Sequence, residues 1–344
     1  ILKTTALVIF LMQMMTSNAQ VSRSNMKNSV VYRSAYQRIA SGSLAFHGAE
    51  IRNGKLLAWG YNAYGQIGNG TDNNNQLTPV TIGTDEKWVS ICTGNGHNLA
   101  IKSDGSLWAW GLNFHGQLGD ASTINRTSPK QIGTDHNWIS VSAGHSYSLG
   151  LKADGTLWAW GLNEHGQLGD GTLLNRTSPT QIGSDHHWIR IASGEEHNLA
   201  LKADGTLWAW GYSANGQLGT GNYILQNSPV QIGTDHNWTS ITAGLRSSLA
   251  LKANGTLWAW GYNSNGQVGD GTTTDKLSPV QIGTDENWIS VSGGYLHSMG
   301  LKSNGTMWAW GQNSHGELGD GTNTDKTSPV QIGSQNHWVI IEAH

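Results

Sequence analysis

The chain repeats itself about every fifty residues. "LWAWG" stands at 107–111, 157–161, 207–211 and 257–261, "MWAWG" at 307–311, and a shortened "LAWG" at 57–60. The step from Gly60 to Gly111 is 51 residues, and each later step is 50. The six prolines keep the same clock: Pro79, Pro129, Pro179, Pro229, Pro279 and Pro329. So do the tryptophans. Fifteen form five triplets of the type Trp88, Trp108 and Trp110, Trp59 belongs to the first unit, and Trp338 opens a seventh. A repeat of this length is one supersecondary unit that buries its apolar faces only against its neighbours. The aromatics are therefore read as structural, one set per unit.

Within one unit, 138–187, "WISVSAG" alternates apolar and small polar residues, as a half-buried strand does. "YSLGLKADGTLWAWG" is two strand-like runs around Asp154-Gly155. Such a pair between β-rich runs predicts a tight hairpin with both turn residues at positive φ. It recurs as Asn53-Gly54, Asp104-Gly105, Asp204-Gly205, Asn254-Gly255 and Asn304-Gly305. Three glycines in "NEHGQLGDGT" mark further turns. "SPTQIG" places a proline on a strand start or edge, where its absent N–H does little harm. No helical period of useful length follows residue 20. The units are predicted as three or four antiparallel strands each, and the fold as an all-β propeller. In the "LWAWG" strand, Trp108 and Trp110 share one face, and Leu107 and Ala109 the other. One face is expected to pack on the preceding unit and one on the next.

The unit resembles the regulator-of-chromosome-condensation repeat. The resemblance rests on "WGLNFHGQLG" at 110–119 and its copies, with Ser213 in place of the Asn in the fourth unit and Glu317 in place of Gln in the sixth. It covers residues 36–344, in units of about 36–87, 88–137, 138–187, 188–237, 238–287 and 288–337, with a partial unit at 338–344. It implies a propeller, usually of seven blades; six, seven and an open arc are all compatible with the sequence. The first residue is Ile, and "WVIIEAH" reads as the first strand of a seventh unit. That suggests a piece of a longer product, or a last blade completed by N-terminal residues. The founding member is a nucleotide-exchange factor for a small GTPase that docks on chromatin. It uses a projecting insertion, and these regular units have none, so guanine-nucleotide exchange is the alternative rather than the first expectation. A secreted relative with the same ring but shorter units, the β-lactamase inhibitor type, grips a partner protein with loops around one mouth, an analogy of architecture and not of partner.

Residues 1–19 have the layout of a secretory signal: Lys3, an apolar run from Ala6 to Met15, and a small-residue end at Ser17-Asn18-Ala19. The run is short for a membrane span. Residues 20–35 read as a linker. A secreted or cell-surface protein is therefore expected, a monomer or part of a larger surface protein. The net charge of −3, with 12% charged residues, lacks the basic patch of a nucleic-acid binder. The single cysteine, Cys92, aligns with Ser142, Ala192, Thr242 and Ser292, and is read as a small packed side chain.

No GxSxG, HExxH, P-loop or CxxC motif is present. His97, His197 and His297 share one repeat position, with Tyr147 and Ser247 between them. Ligands on separate units do not readily converge on one ion, so each His is expected to bond a neighbouring turn. "GDGT" at 169–172 and 319–322 lacks the EF-hand ligand ladder. No metal or cofactor is expected. Positions that vary between units are free to carry specificity. The first such set follows the first strand: Asn95-Gly96-His97, His145-Ser146-Tyr147, Glu195-Glu196-His197, Leu245-Arg246-Ser247 and Tyr295-Leu296-His297. The second follows the Trp-Gly pair: Tyr64, Phe114-His115, Glu164-His165, Asn215, Asn265 and His315. The expected function is a non-catalytic binding scaffold for a protein or glycan partner. Its expected partner-binding residues are His145, Tyr147, Glu195, Glu196, Arg246, Tyr295, Leu296 and His297. A glycan- or peptide-acting enzyme using Glu195 and Glu196, and a structural spacer in a larger adhesin, are the other readings. Adjacent strand residues point opposite ways, which weakens the carboxylate pair.

Overall fold

A computed structural model describes residues 38–40 and 46–338. The expected signal segment 1–19, the linker 20–35 and residues 339–344 lie outside it. The described residues form six four-stranded antiparallel sheets and no helix. Sheet one runs Arg38–Ala40, His47–Arg52, Lys55–Gly60, Gln76–Thr81. Sheet three, typical of the others, runs Trp138–Ala143, Tyr147–Lys152, Leu157–Gly161, Arg176–Gln181. In every sheet the strands neighbour one another in chain order. The prolines lie on the fourth, outer strand, as their lost N–H requires.

First strands of successive sheets touch each other, and each second strand touches the next sheet's first strand. First strands therefore line the inside of the stack and fourth strands its rim. Up-and-down order then puts all loops joining strands one to two and three to four at one end. The Asp-Gly hairpins lie at the other end.

The apolar core lies between sheets. One cluster joins Leu149, Leu151, Leu157 and Ala159 of unit three to Trp188, Ala200 and Trp210 of unit four. The same composition recurs between units one and two, two and three, four and five, and five and six. This is the two-sided packing expected of the "LWAWG" strand: Leu207 and Ala209 face unit five, while Trp210 faces unit three. Trp110, Trp160, Trp210, Trp260 and Trp310 are fully buried.

A polar seam joins the same faces. The indole N–H of Trp160 donates to the Gln117 carbonyl of the preceding unit at 2.9 Å. Trp110, Trp210, Trp260 and Trp310 do likewise to Gln66, Gln167, Gln217 and Gln267. Each of these carbonyls accepts a second bond, from Asn98, Ser148, Asn198, Ser248 or Ser298. The glycine that ends "GQLG" must be bare for this approach. A Cβ on Gly169 would stand 2.8 Å from two indole atoms of Trp210, and its φ is +76°.

The remaining tryptophans hold the unit's own corner. Trp138 and Trp158 meet edge to face at 6.0 Å. Lys152 Nζ lies 3.7 Å from the Trp158 ring centroid and bonds Asp135 at 2.7 Å. Lys102, Lys202, Lys252 and Lys302 repeat the arrangement. A desolvated cation on two indole faces is stabilising, which explains why a lysine is almost wholly covered here.

The hairpins differ from the expected two-residue form. Only Asn53-Gly54 has both residues at positive φ, 52° and 78°. In the other units the glycine alone is left-handed, as at Gly105, φ 79°. There Gly105 N–H bonds the Lys102 carbonyl, and the Asp104 carboxylate accepts from Ser106 N–H and Oγ–H. This is a longer turn followed by a left-handed glycine. The Asp serves as a local side-chain acceptor rather than as a second left-handed residue. Cys92 packs in the junction between units two and three, and burial pushes its thiol up to about 12.

Candidate functional site

Both variable loop sets lie at the same end of the stack. The loops after the first strands form a continuous backbone ladder across units. Leu245 N–H donates to Gly294 O (3.1 Å), Glu195 N–H to Leu245 O (3.0 Å), and His145 N–H to Glu195 O (3.2 Å). Side chains above this ladder are presented on a braced frame.

Four of the expected residues line that mouth with charge and hydrogen-bonding capacity. Arg246 Nε–H donates to Glu195 Oε2 at 2.6 Å across units four and five. Glu195 raises the Arg246 pKa further. Glu196 turns the other way and meets His165 Nδ1 of unit three at 3.0 Å. His145 Nε2 lies 3.0 Å from Asn95 Nδ2, and its Nδ1 lies 3.0 Å from Ser146 Oγ. Tyr295 is exposed and Leu296 half-buried. The two glutamates are thus held apart, Glu195 by the Arg246 guanidinium and Glu196 beside the His165 ring. That disposes them to fix geometry rather than to share proton transfer between them.

Two expected residues sit elsewhere. Tyr147 is fully buried, and its hydroxyl lies within hydrogen-bond distance of three acceptors of unit four, His197 O (2.9 Å), Asn198 Oδ1 (2.9 Å) and Gly194 O (3.3 Å). Burial pushes its ionisation well above the ordinary phenol range. His297 is 8% exposed. Both begin a second strand directly after the three-residue loop, a register that buries the side chain, and for Tyr147 turns it into the seam with unit four. The same holds for His97 and His197, whose Nε2 atoms reach Ser148 Oγ (3.1 Å) and Ser248 Oγ (3.0 Å) of the next unit. These histidines bond a neighbouring unit's strand, not a turn. Burial lowers His97 and His197 to about 3 and His47 to about 4, so they are neutral. Among the described residues, no three His, Cys, Asp or Glu gather as metal ligands.

An outer row continues the mouth. Tyr61, Tyr64 and Phe114 form an edge-to-face chain with centroid spacings of 6.2 and 5.9 Å. His165 lies 4.7 Å from the Tyr212 ring. Tyr61 and Tyr212 follow the Trp-Gly pair directly, where other units carry Leu112, Leu162, Tyr262 and Gln312. Variation at that position was the sequence signal for them.

The RCC1-like domain profile matches residues 17–239, and the regulator of chromosome condensation (RCC1) repeat profile matches 254–301 and 304–343. The ultraviolet-B receptor UVR8 of Arabidopsis thaliana is 38% identical over 76 residues, 22% of this chain and 17% of that protein. Human protein RCC2 is 40% identical over 83 residues, 24% of this chain and 16% of that protein. The matches thus span less than a fifth of these relatives' length. Yeast RCC1 (Prp20), solved with Kap60, superposes with a TM-score of 0.77 at 25% identity, over 86% of this chain and 74% of that one. Human WBSCR16 gives 0.78 at 21% identity, over 89% and 83%. Prp20p of Saccharomyces cerevisiae, in a structure whose description names its binding to Gsp1p and histones, gives 0.77 at 26% identity, over 86% and 76%.

Proposed function

This chain belongs to the RCC1-like propeller family, and from that premise we propose that it is a non-catalytic scaffold recognising a partner protein through one mouth of the propeller. The observation that carries the reading is the contrast within each unit. The seam residues repeat from unit to unit, while the loops on the braced ladder differ. They present Tyr295, the Arg246–Glu195 pair, His145 and the His165–Glu196 pair on one end. Tyrosine and arginine on a rigid frame are the usual anchors of a protein interface. Prp20p, similar in fold and repeat, binds Gsp1p and histones, and protein recognition is the part of that behaviour proposed here. Recognition takes place outside the cell or at its surface, a reading supported by the signal-like layout of residues 1–19.

The test compares the parent protein with the Arg246→Ala/Tyr295→Ala variant as immobilised baits. The probes are surface and secreted proteins of the source organism, and a glycan array. Exposed ion pairs contribute about 0–1 kcal/mol, so the variant keeps its unfolding midpoint. The expected result is a defined protein retained by the parent and lost from the variant. Equal retention by both baits moves recognition to the other end, and selective glycan retention replaces the protein reading.

A further inference from the structure

Separately from the mouth, we propose that two copies of this chain associate about a two-fold axis through an apolar arc on the outer edge of the same end. The arc consists of Ile124 of unit two, Leu173 and Leu174 of unit three, and Tyr223, Ile224 and Leu225 of unit four. These side chains are between 39% and 65% exposed. All six lie in the loop joining the third and fourth strands.

Internal comparison isolates the feature. The same loop carries Asn73-Asn74-Asn75 in unit one, Thr273-Thr274-Asp275 in unit five and Asn323-Thr324-Asp325 in unit six. The backbone is alike in both groups. Buried Asn113 and Asn163 donate to the carbonyls of Ile124 (3.1 Å) and Leu174 (3.2 Å). Asn263 and Asn313 donate in the same way to Thr274 and Thr324. The fold thus accepts polar residues here, and three consecutive units carry apolar ones instead. The loops also stand side by side. Ala121 N–H bonds Thr177 O, and Gly171 N–H bonds Asn227 O, each tying one unit's loop to the next unit's outer strand.

Area selects the occupant. An aromatic side chain buries roughly 150–250 Å² when wholly covered and Leu or Ile somewhat less, so six that are about half exposed leave roughly 500 Å². That is near the largest apolar patch of an ordinary monomer. Two such arcs face to face remove roughly 1,000 Å², the size at which a specific interface begins. An isologous contact needs a self-complementary surface, and an arc that is apolar along its length meets that condition. A two-fold axis through unit three sets the unit-two end on the partner's unit-four end. Unit two carries Asp120 paired with Arg126 and Lys130, and unit four has Thr220, Gln226 and Val230 at the corresponding places, so the charges of the unit-two end meet uncharged side chains, while at the axis the Asp170–Arg176 pair of unit three meets its own copy.

Sedimentation velocity from low to high micromolar concentration tests this, with the parent and a Leu174→Lys/Ile224→Lys variant. The parent is expected to pass from monomer to dimer, and the variant's dissociation constant to rise at least about tenfold. Both residues are exposed, so circular dichroism and the unfolding midpoint stay unchanged. A parent that remains monomeric throughout overturns the proposal, as does a variant that dimerises like the parent. Co-pelleting of monomeric parent, but not variant, with phosphatidylserine vesicles also overturns it and assigns the arc to a lipid surface.

Discussion

Acidification to pH 5 should strip this protein of much of its stability, and three seam histidines set the size of the loss. His47, His97 and His197 are buried and neutral, held at about 4, 3 and 3 by desolvation. In the unfolded chain each titrates near 6.5. A base whose folded pKa is depressed leaves the unfolded state with more bound protons as pH falls below 6.5. Its stabilising contribution is whole above that pH and declines continuously toward the folded value. At pH 5 the folded forms are still unprotonated. The cost therefore depends only on the unfolded pKa and is about 2 kcal/mol per histidine. Three give about 6 kcal/mol between pH 8 and pH 5, against a typical total of about 5–15 kcal/mol. Carboxylates do not blur this window. Burial raises Asp185 and Asp320, but hydrogen bonds, chiefly from Lys202 and Thr322, outweigh it and bring both to about 2, so their contributions fall away only below about pH 4. The assay is urea unfolding followed by tryptophan fluorescence at both pH values. His97→Gln/His197→Gln is the comparison variant. Tyr147 and Ser247 already occupy this position in units three and five, so a non-titrating side chain is compatible with the seam. The variant should retain only about a third of the pH dependence, about 2 kcal/mol. A parent whose unfolding free energy changes by less than about 1 kcal/mol, or a variant with the parent's dependence, would refute the reasoning.

The seam makes two further predictions. Gly169→Ala places a methyl within 2.8 Å of Trp210 at a left-handed φ, and should cost about 2–4 kcal/mol in urea unfolding. The same change at Gly183, where a Cβ meets nothing within 4 Å, should cost only the conformational part, about 1–2 kcal/mol. Ser213→Asn should stabilise unit four by about 1 kcal/mol. In unit three the corresponding Asn163 accepts from Leu168 N–H and donates to Thr172 O and Leu174 O, whereas Ser213 reaches Asn222 O at 3.4 Å. A raised thermal midpoint would register that gain.

The propeller and its tryptophan-lined junctions were legible because period and alternation are written in every copy. Trp210 and Leu207 could be assigned to opposite faces from the two-residue period alone. The hairpin departs from the expected form because Asp-Gly fits two turn geometries, and the bonds from Ser106 to Asp104 distinguish them. Tyr147 and His297 looked like rim residues because polar side chains next to a variable loop carry no mark of inward register. The burial of Tyr147 depends on acceptors supplied by unit four, some fifty residues away in the chain. His165 was visible as a variable residue, but its tie to Glu196 joins two loop sets that become neighbours only when units three and four stack.

Each junction in this molecule uses the same donor, the same acceptor and the same bare glycine. Excising one stretch from tryptophan start to tryptophan start would leave two cut surfaces that already fit, and inserting one would create no surface without a mate. Recombination between copies in the gene could therefore lengthen or shorten such an array in whole steps, altering its curvature while every seam keeps its indole–carbonyl bond. A point change at the shared tryptophan or glycine enjoys no such freedom, since the altered residue is flanked by unaltered partners.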